Sequence, residues 1–136
     1  MDIAVALTAT PALAFRPGRV LVTVNLVAAF LSTGAAVLAL FDPGVLGAPA
    51  VDSWLALYAQ AYAARSIPLG LAVGAVLLVG GLRARPAVLV TLTVAGLAQV
   101  GDLAIGAAQG IPGMMAGSAI GAVAHLASVA VLARRR

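Results

Sequence analysis

Four long apolar stretches dominate the chain, and short clusters of Pro, Gly, Asp and Arg separate them. They cover residues 20–41, 54–81, 86–108 and 114–133. Each reaches the roughly 20 residues with which a helix rising about 1.5 Å per residue crosses a hydrocarbon layer about 30 Å thick. The punctuation between them has physical causes. Asp42-Pro43-Gly44 makes a turn, because Pro fixes φ and Gly accepts left-handed geometry. Asp52-Ser53 offers a capping oxygen to the free amides of the second helix, and Trp54 stands where an amphipathic ring prefers the membrane interface. Gly80-Gly81-Leu82-Arg83-Ala84-Arg85-Pro86 and Gly110-Ile111-Pro112-Gly113 form the other two breaks. Residues 1–15, MDIAVALTATPALAF, are apolar but too short to span. Pro11-Ala12-Leu13-Ala14 resembles a signal-peptide cleavage site, yet the basic n-region is missing. The preferred reading is an N-terminal arm over residues 1–19 lying at the interface.

The arginines set the topology. Arg16, Arg19, Arg83, Arg85 and Arg134 to Arg136 flank the same ends of the four stretches, whereas the other two connections carry only Asp42 and Asp52. By the positive-inside rule both termini are cytoplasmic. Short connections make successive helices antiparallel neighbours. The expected fold is therefore all-α, an integral membrane four-helix antiparallel bundle.

Composition agrees. The chain is 63% hydrophobic and 9% charged, where a soluble domain is about 45–50% apolar and 25% charged. The formal charge of +4 has no polar domain on which to meet nucleic acid, so it reports topology. All eight basic residues are Arg, which with the Ala, Gly, Val and Leu richness points to a GC-rich bacterial genome and a bacterial inner membrane. With no Cys and one His, thiolate and zinc sites are excluded, and no cofactor is expected. The expected partners are the bilayer, a lipophilic small molecule and, as a possibility of the glycine pattern, further copies of the chain.

Polar residues inside the spans carry the candidate chemistry. Arg65 lies about 16 Å from the start of the second segment, and a charge at mid-bilayer is costly by about 2.5 to more than 10 kcal/mol, so it needs a partner. Helical spacing puts Tyr58, Tyr62 and Arg65 on one face, Gln99 and Asp102 on another, and Ser118, Gly121, His125 and Ser128 on a third. Measured from the outer ends, Asp102 lies about 9 Å deep and His125 about 18 Å. Arg65 and Asp102 lean toward each other. The expectation is an Arg65–Asp102 ion pair with His125 just below it and Tyr62 and Gln99 flanking it. Pro68 frees a backbone carbonyl near Arg65 and so contributes to a polar pocket or only bends the helix.

Three uses of this cluster stand open. In an enzyme, Asp102 would be the base or water-activating group, His125 the proton partner and Arg65 the electrostatic stabiliser. The substrate would be a small lipophilic molecule undergoing isomerisation, cyclisation or epoxide opening, with Tyr58, Tyr62, Gln99 and Trp54 as binding residues. In a binding or transport protein, protonation of Asp102 would gate access. In a structural or accessory protein, the paired charge would fix helix register. Asn25 and Ser32 share a face of the first helix, and Asn25 reads as an interhelical hydrogen-bonding residue. Gly70 with Gly74, and Gly117 with Gly121, allow close helix contact inside the bundle. Met114 and Met115, at a helix start, are expected to face lipid or loop.

The run Ala64-Arg65-Ser66-Ile67-Pro68-Leu69-Gly70 and the pair Gly101-Asp102 resemble the small DoxX-like bacterial membrane proteins, over most of residues 20–133. That resemblance implies a four-helix membrane fold and, as for some members, a link to quinone-coupled oxidation, including an accessory role in a membrane enzyme complex. No haem, flavin or quinone motif accompanies it. The small multidrug exporters, also four-helix proteins, carry an acidic residue in their first helix, and residues 20–41 contain neither Asp nor Glu.

Overall fold

A computed structural model describes residues 17–48, 52–79 and 85–134. The arm expected over residues 1–19 lies outside them except for its last three residues, and Arg19 is already the first residue of helix α1. The described residues form α1 (Arg19–Phe41), a 3-10 turn (Pro43–Leu46), α2 (Ser53–Leu78), α3 (Arg85–Gln109) and α4 (Pro112–Arg134). All four helices are long and apolar enough to cross a membrane. This is the architecture of a multi-pass membrane protein. Helix α2 stops three residues before the expected end at 81.

The helix ends follow from local chemistry. The Asp52 carboxylate accepts from the Leu55 amide at 2.8 Å and caps α2. Asp42 accepts from the Gly44 amide at 2.9 Å and folds the chain into the 3-10 turn. Gly110 takes φ 64°, and the Ile111 amide reaches back to the Gly106 carbonyl at 2.9 Å, so α3 ends in a Schellman motif with Ile111 buried beneath it. At the other end of the bundle an Arg85 Nη2 donates to the Leu132 carbonyl at 2.9 Å, satisfying a group that the end of α4 would leave free.

The most extensive packing is α3 on α4 and α1 on α2, with narrower junctions between α1 and α4 and between α2 and α3. Gly70 makes the α1–α2 contact possible, because a methyl there would collide with Thr33 Oγ1 and sit 3.3 Å from the Ala29 carbonyl oxygen. Gly74, the other half of that pair, faces open space. Two apolar clusters form the core. One gathers Ala36, Leu46, Leu55, Tyr58, Ile111 and Met114 near the α1–α2 and α3–α4 connections. The other gathers Val73, Leu77, Val88, Leu92 and Leu132 toward the opposite end. Met114 is thus a core residue, against the expectation that it faces lipid or loop, because the 3-10 turn folds over the start of α4 and covers it. Between the clusters lie buried polar side chains, while Phe30, Leu57, Leu71, Leu97, Ile120 and Val123 point outward. Large apolar groups outside and polar groups inside suit hydrocarbon surroundings.

Candidate functional site

The polar interior resolves into three groups at successive levels. The first joins α2 to α3. Arg65 forms an ion pair with Asp102 Oδ1, and the Tyr58 hydroxyl donates to the same oxygen at 2.8 Å. Asp102 is 1% exposed and Arg65 39%. The pairing is incomplete, since Asp102 Oδ2 and Arg65 Nε are buried without a hydrogen-bond partner among the described residues. Trp54, Tyr58 and Tyr62 stack along the same face of α2, with ring centroids 5.6 and 6.1 Å apart. The Arg65 guanidinium lies 5.9 Å from the Tyr62 ring centroid, within cation–π reach.

The second level joins α1, α2 and α3 through Ser32. Its Oγ accepts from Gln99 Nε2 at 3.0 Å and lies 3.3 Å from the Tyr62 hydroxyl, which also donates to the Ser32 carbonyl at 3.3 Å. Tyr62 and Gln99 therefore do not flank the ion pair with hydrogen bonds as expected; they meet each other's helices through a serine on α1. Gly121 makes room for this, because a Cβ there would fall 2.9 to 3.1 Å from the Gln99 side chain.

The third level joins α1 to α4. His125 Nδ1 is 2.7 Å from Asn25 Oδ1, and Asn25 Nδ2 donates to Ser128 Oγ at 2.6 Å and to the Leu21 carbonyl at 2.8 Å. This corrects the expectation that His125 sits just below the Arg65–Asp102 pair. Depth along the helix was a sound guide, but His125 is on α4, and the neighbour that meets its ring is α1. Asn25 is the interhelical hydrogen-bonding residue that its position predicts.

A cavity of about 270 Å³ opens beside the second level, between α1 and α4. Its walls include Ala28, Leu31 and Ala35 of α1, Gly113, Gly117 and Ile120 of α4, and Val45 and Leu46 of the 3-10 turn. Ser32, Tyr62, Gln99 and Ser118 give it polar groups. Leu31 and Ile120 are both well exposed on the outer surface, so the opening is lateral, toward the medium that surrounds the helices. Neither Asp102, Arg65, Trp54, Tyr58 nor His125 lines it. A second space, about 20 Å³, lies behind the Ser32–Gln99 pair and is lined by Ser66 and His125 among others. Among the described residues no group of His, Asp and Glu could hold a metal ion.

Sequence reasoning missed Ser32 as the junction of three helices and Gly117 as a cavity wall. The available signal was spacing: Asn25 and Ser32, seven residues apart on one face of α1, mark the side turned to the other helices. Comparison with protein-family models, curated proteins and solved structures finds no match for this chain.

Proposed function

We propose that this protein is an integral membrane protein that takes a small lipophilic molecule from the bilayer into the cavity between α1 and α4. The observation that carries this reading is the cavity itself, apolar on its walls, polar at Ser32, Tyr62, Gln99 and Ser118, and open sideways between two lipid-facing residues. Its volume of about 270 Å³ exceeds the roughly 150 Å³ of an apolar cavity that holds benzene. Binding in a bundle core between helices is the usual place for such a site.

The orientation belongs to the same proposal. Asn25 pairs with His125 and Ser128, Ser32 with Tyr62 and Gln99, and Tyr58 with Asp102. That order of pairings supports antiparallel succession of the helices, and the arginine distribution supports cytoplasmic termini in a bacterial inner membrane. Kinship with DoxX-like proteins rests on the motif residues, of which Arg65 and Asp102 form the ion pair and Gly70 the α1–α2 contact.

Acid–base chemistry on the bound molecule is a second reading, and one observation favours it. The 20 Å³ space is large enough for one water molecule and has Ser32, Ser66, Gln99 and His125 on its walls, so it can connect the imidazole to the cavity's polar floor. Asp102 lines neither of these two spaces.

Photolabelling tests the proposal. The neutral lipophile 3-trifluoromethyl-3-phenyldiazirine, supplied through the lipid of a nanodisc, is expected to label buried cavity residues such as Ser32 and Gln99 in a saturable manner. Gly117→Leu is expected to stop that labelling, because Gly117 faces open space and a side chain there fills the cavity. Labels confined to outward residues such as Phe30 and Leu57 would falsify the reading. If the second reading holds, His125→Ala abolishes conversion of a cavity ligand while the diazirine still labels.

A further inference from the structure

We infer that the cavity selects uncharged molecules carrying a hydroxyl group, which donates to the Gln99 carboxamide oxygen and accepts from Ser118. This rests on the cavity reading above and names the class of ligand.

Charge restricts the ligand first. None of the cavity-lining side chains is Asp, Arg or His, and Arg65, 5.9 Å from the ring of the lining Tyr62, is already paired with Asp102. A charged ligand would be buried without a counter-ion, which is prohibitive in a low-dielectric interior.

The hydrogen-bonding groups on the cavity wall restrict it further. Ser32 Oγ is occupied by Gln99 Nε2 and by the Tyr62 hydroxyl. Among the described residues the oxygen of the same Gln99 amide has no donor, and Ser118, one helical turn before Gly121, makes no side-chain hydrogen bond. Gln99 is 8% exposed and Ser118 5%, so both are more than nine-tenths buried, and both line the cavity. One acceptor and one hydroxyl facing the same apolar space match a group that donates and accepts together. An alcohol or phenol does so; a hydrocarbon leaves both protein groups unpaired, and sites built to bond a hydroxyl discriminate strongly against analogues lacking it.

Beside Ser118 the wall of α4 is bare. Gly113, Gly117 and Gly121 repeat every four residues on α4, but each does something different. Gly113 carries the 3-10 turn, since a Cβ there would lie 3.2 Å from the Leu46 carbonyl oxygen. Gly121 holds the Gln99 side chain in position. A Cβ at Gly117 would meet nothing within 4 Å, and that space leaves room for the ligand's apolar body.

Competition against the diazirine label separates this inference from the reading beneath it. 1-Naphthol and naphthalene have nearly the same shape and differ by one hydroxyl; each is titrated in nanodiscs, with concentrations corrected for partition into protein-free discs. 1-Naphthol is expected to displace the label at about a tenfold lower concentration than naphthalene, the factor that a 1.4 kcal/mol hydrogen-bonding advantage gives. With the label read at Ser32, Gln99→Met, similar in size, is expected to bring the two within about twofold, and Ser118→Ala to reduce the advantage severalfold. If naphthalene competes as well as naphthol in the unmodified protein while labelling remains saturable, hydroxyl recognition is wrong and the cavity reading stands. If a correctly folded protein shows no saturable label at all, both fall.

Discussion

Two of the buried polar clusters bridge helix pairs that otherwise meet narrowly, and they do so by opposite means. Between α1 and α4, Asn25, His125 and Ser128 form a neutral network in which Asn25 donates twice and accepts once, and Ser128 passes its own hydrogen to the Ala124 carbonyl. Between α2 and α3, two full charges share a single carboxylate oxygen with Tyr58, and one atom on each side is left without a partner. A network of uncharged groups in which every polar atom of Asn25 is partnered loses little on entering a hydrocarbon interior, whereas an ion pair is tolerable there only as a pair. The first cluster is therefore suited to holding α1 and α4 together beside the cavity. The second holds only while both charges are present, so its members cannot be treated as separate contributions.

Breaking that ion pair gives the largest expected effect. Arg65→Met leaves a carboxylate that is 1% exposed with Tyr58 alone, and the expected loss is about 3–5 kcal/mol, as for one partner removed from a buried pair. Asp102→Leu leaves a guanidinium that is 39% exposed and on a flexible stem, which can move its head group toward more polar surroundings. Its expected loss is smaller, about 2.5–3.5 kcal/mol, the low end of the cost of an unpaired arginine at mid-membrane. The double variant should return to near the unmodified stability, since apolar replacement of a whole buried pair is often neutral. Reversible unfolding in mixed micelles measures all three. Equal losses in Arg65→Met and in the double variant would show that the pair is not what couples the two helices.

The contrast between the clusters also marks how far the sequence could be read. Hydropathy located the four helices to within three residues at either end, because span length is dictated by a physical thickness and the breaks by Pro, Gly and capping Asp residues. Helical spacing also brought Arg65 and Asp102 together, since α2 and α3 follow one another and their polar stripes must meet. His125 was different. Depth alone left both α1 and α3 within its reach, and only the rotation of α4, fixed by Gly96 and Gly121 accommodating Leu126 and Gln99, turns the imidazole to Asn25. The cavity was illegible for a related reason. Gly117 and Gly121 look the same in sequence, yet one packs against a neighbour and the other faces empty space, a distinction set by helix separation and not by residue type.

Removing the centre of the neutral network is the next effect in size. Asn25→Leu deletes both interhelical bonds, to His125 and to Ser128. Interhelical hydrogen bonds in membranes are each worth about 0.6 kcal/mol on average and up to about 1.7, so the expected loss is about 1–3 kcal/mol. The effect should extend beyond stability, because α1 and α4 also form the cavity walls. Diazirine labelling at Gly117 should broaden or weaken in this variant while the Arg65–Asp102 junction stays intact. Unchanged labelling alongside the stability loss would mean that the cavity is held open by the 3-10 turn and the Gly113 contact alone.

The finest test uses two tyrosines one turn apart on the same stacked face of α2. Tyr58 donates at 2.8 Å to a carboxylate oxygen, a charge-assisted bond of good length. Tyr62 makes two contacts of 3.3 Å to Ser32, long for a hydroxyl donor, whose usual range ends near 3.0 Å. Replacing each by Phe keeps the ring stack and removes only the hydroxyl, so the ring packing cancels between them. Tyr58→Phe should cost about 1 kcal/mol, within the range measured for bonds between membrane helices, and Tyr62→Phe less than about half of that. If Tyr62→Phe proves the more damaging of the two, the Ser32 junction rather than the ion pair is the principal tie of α2 to its neighbours, and the division of labour between a charged junction and a neutral one would have to be redrawn around Ser32.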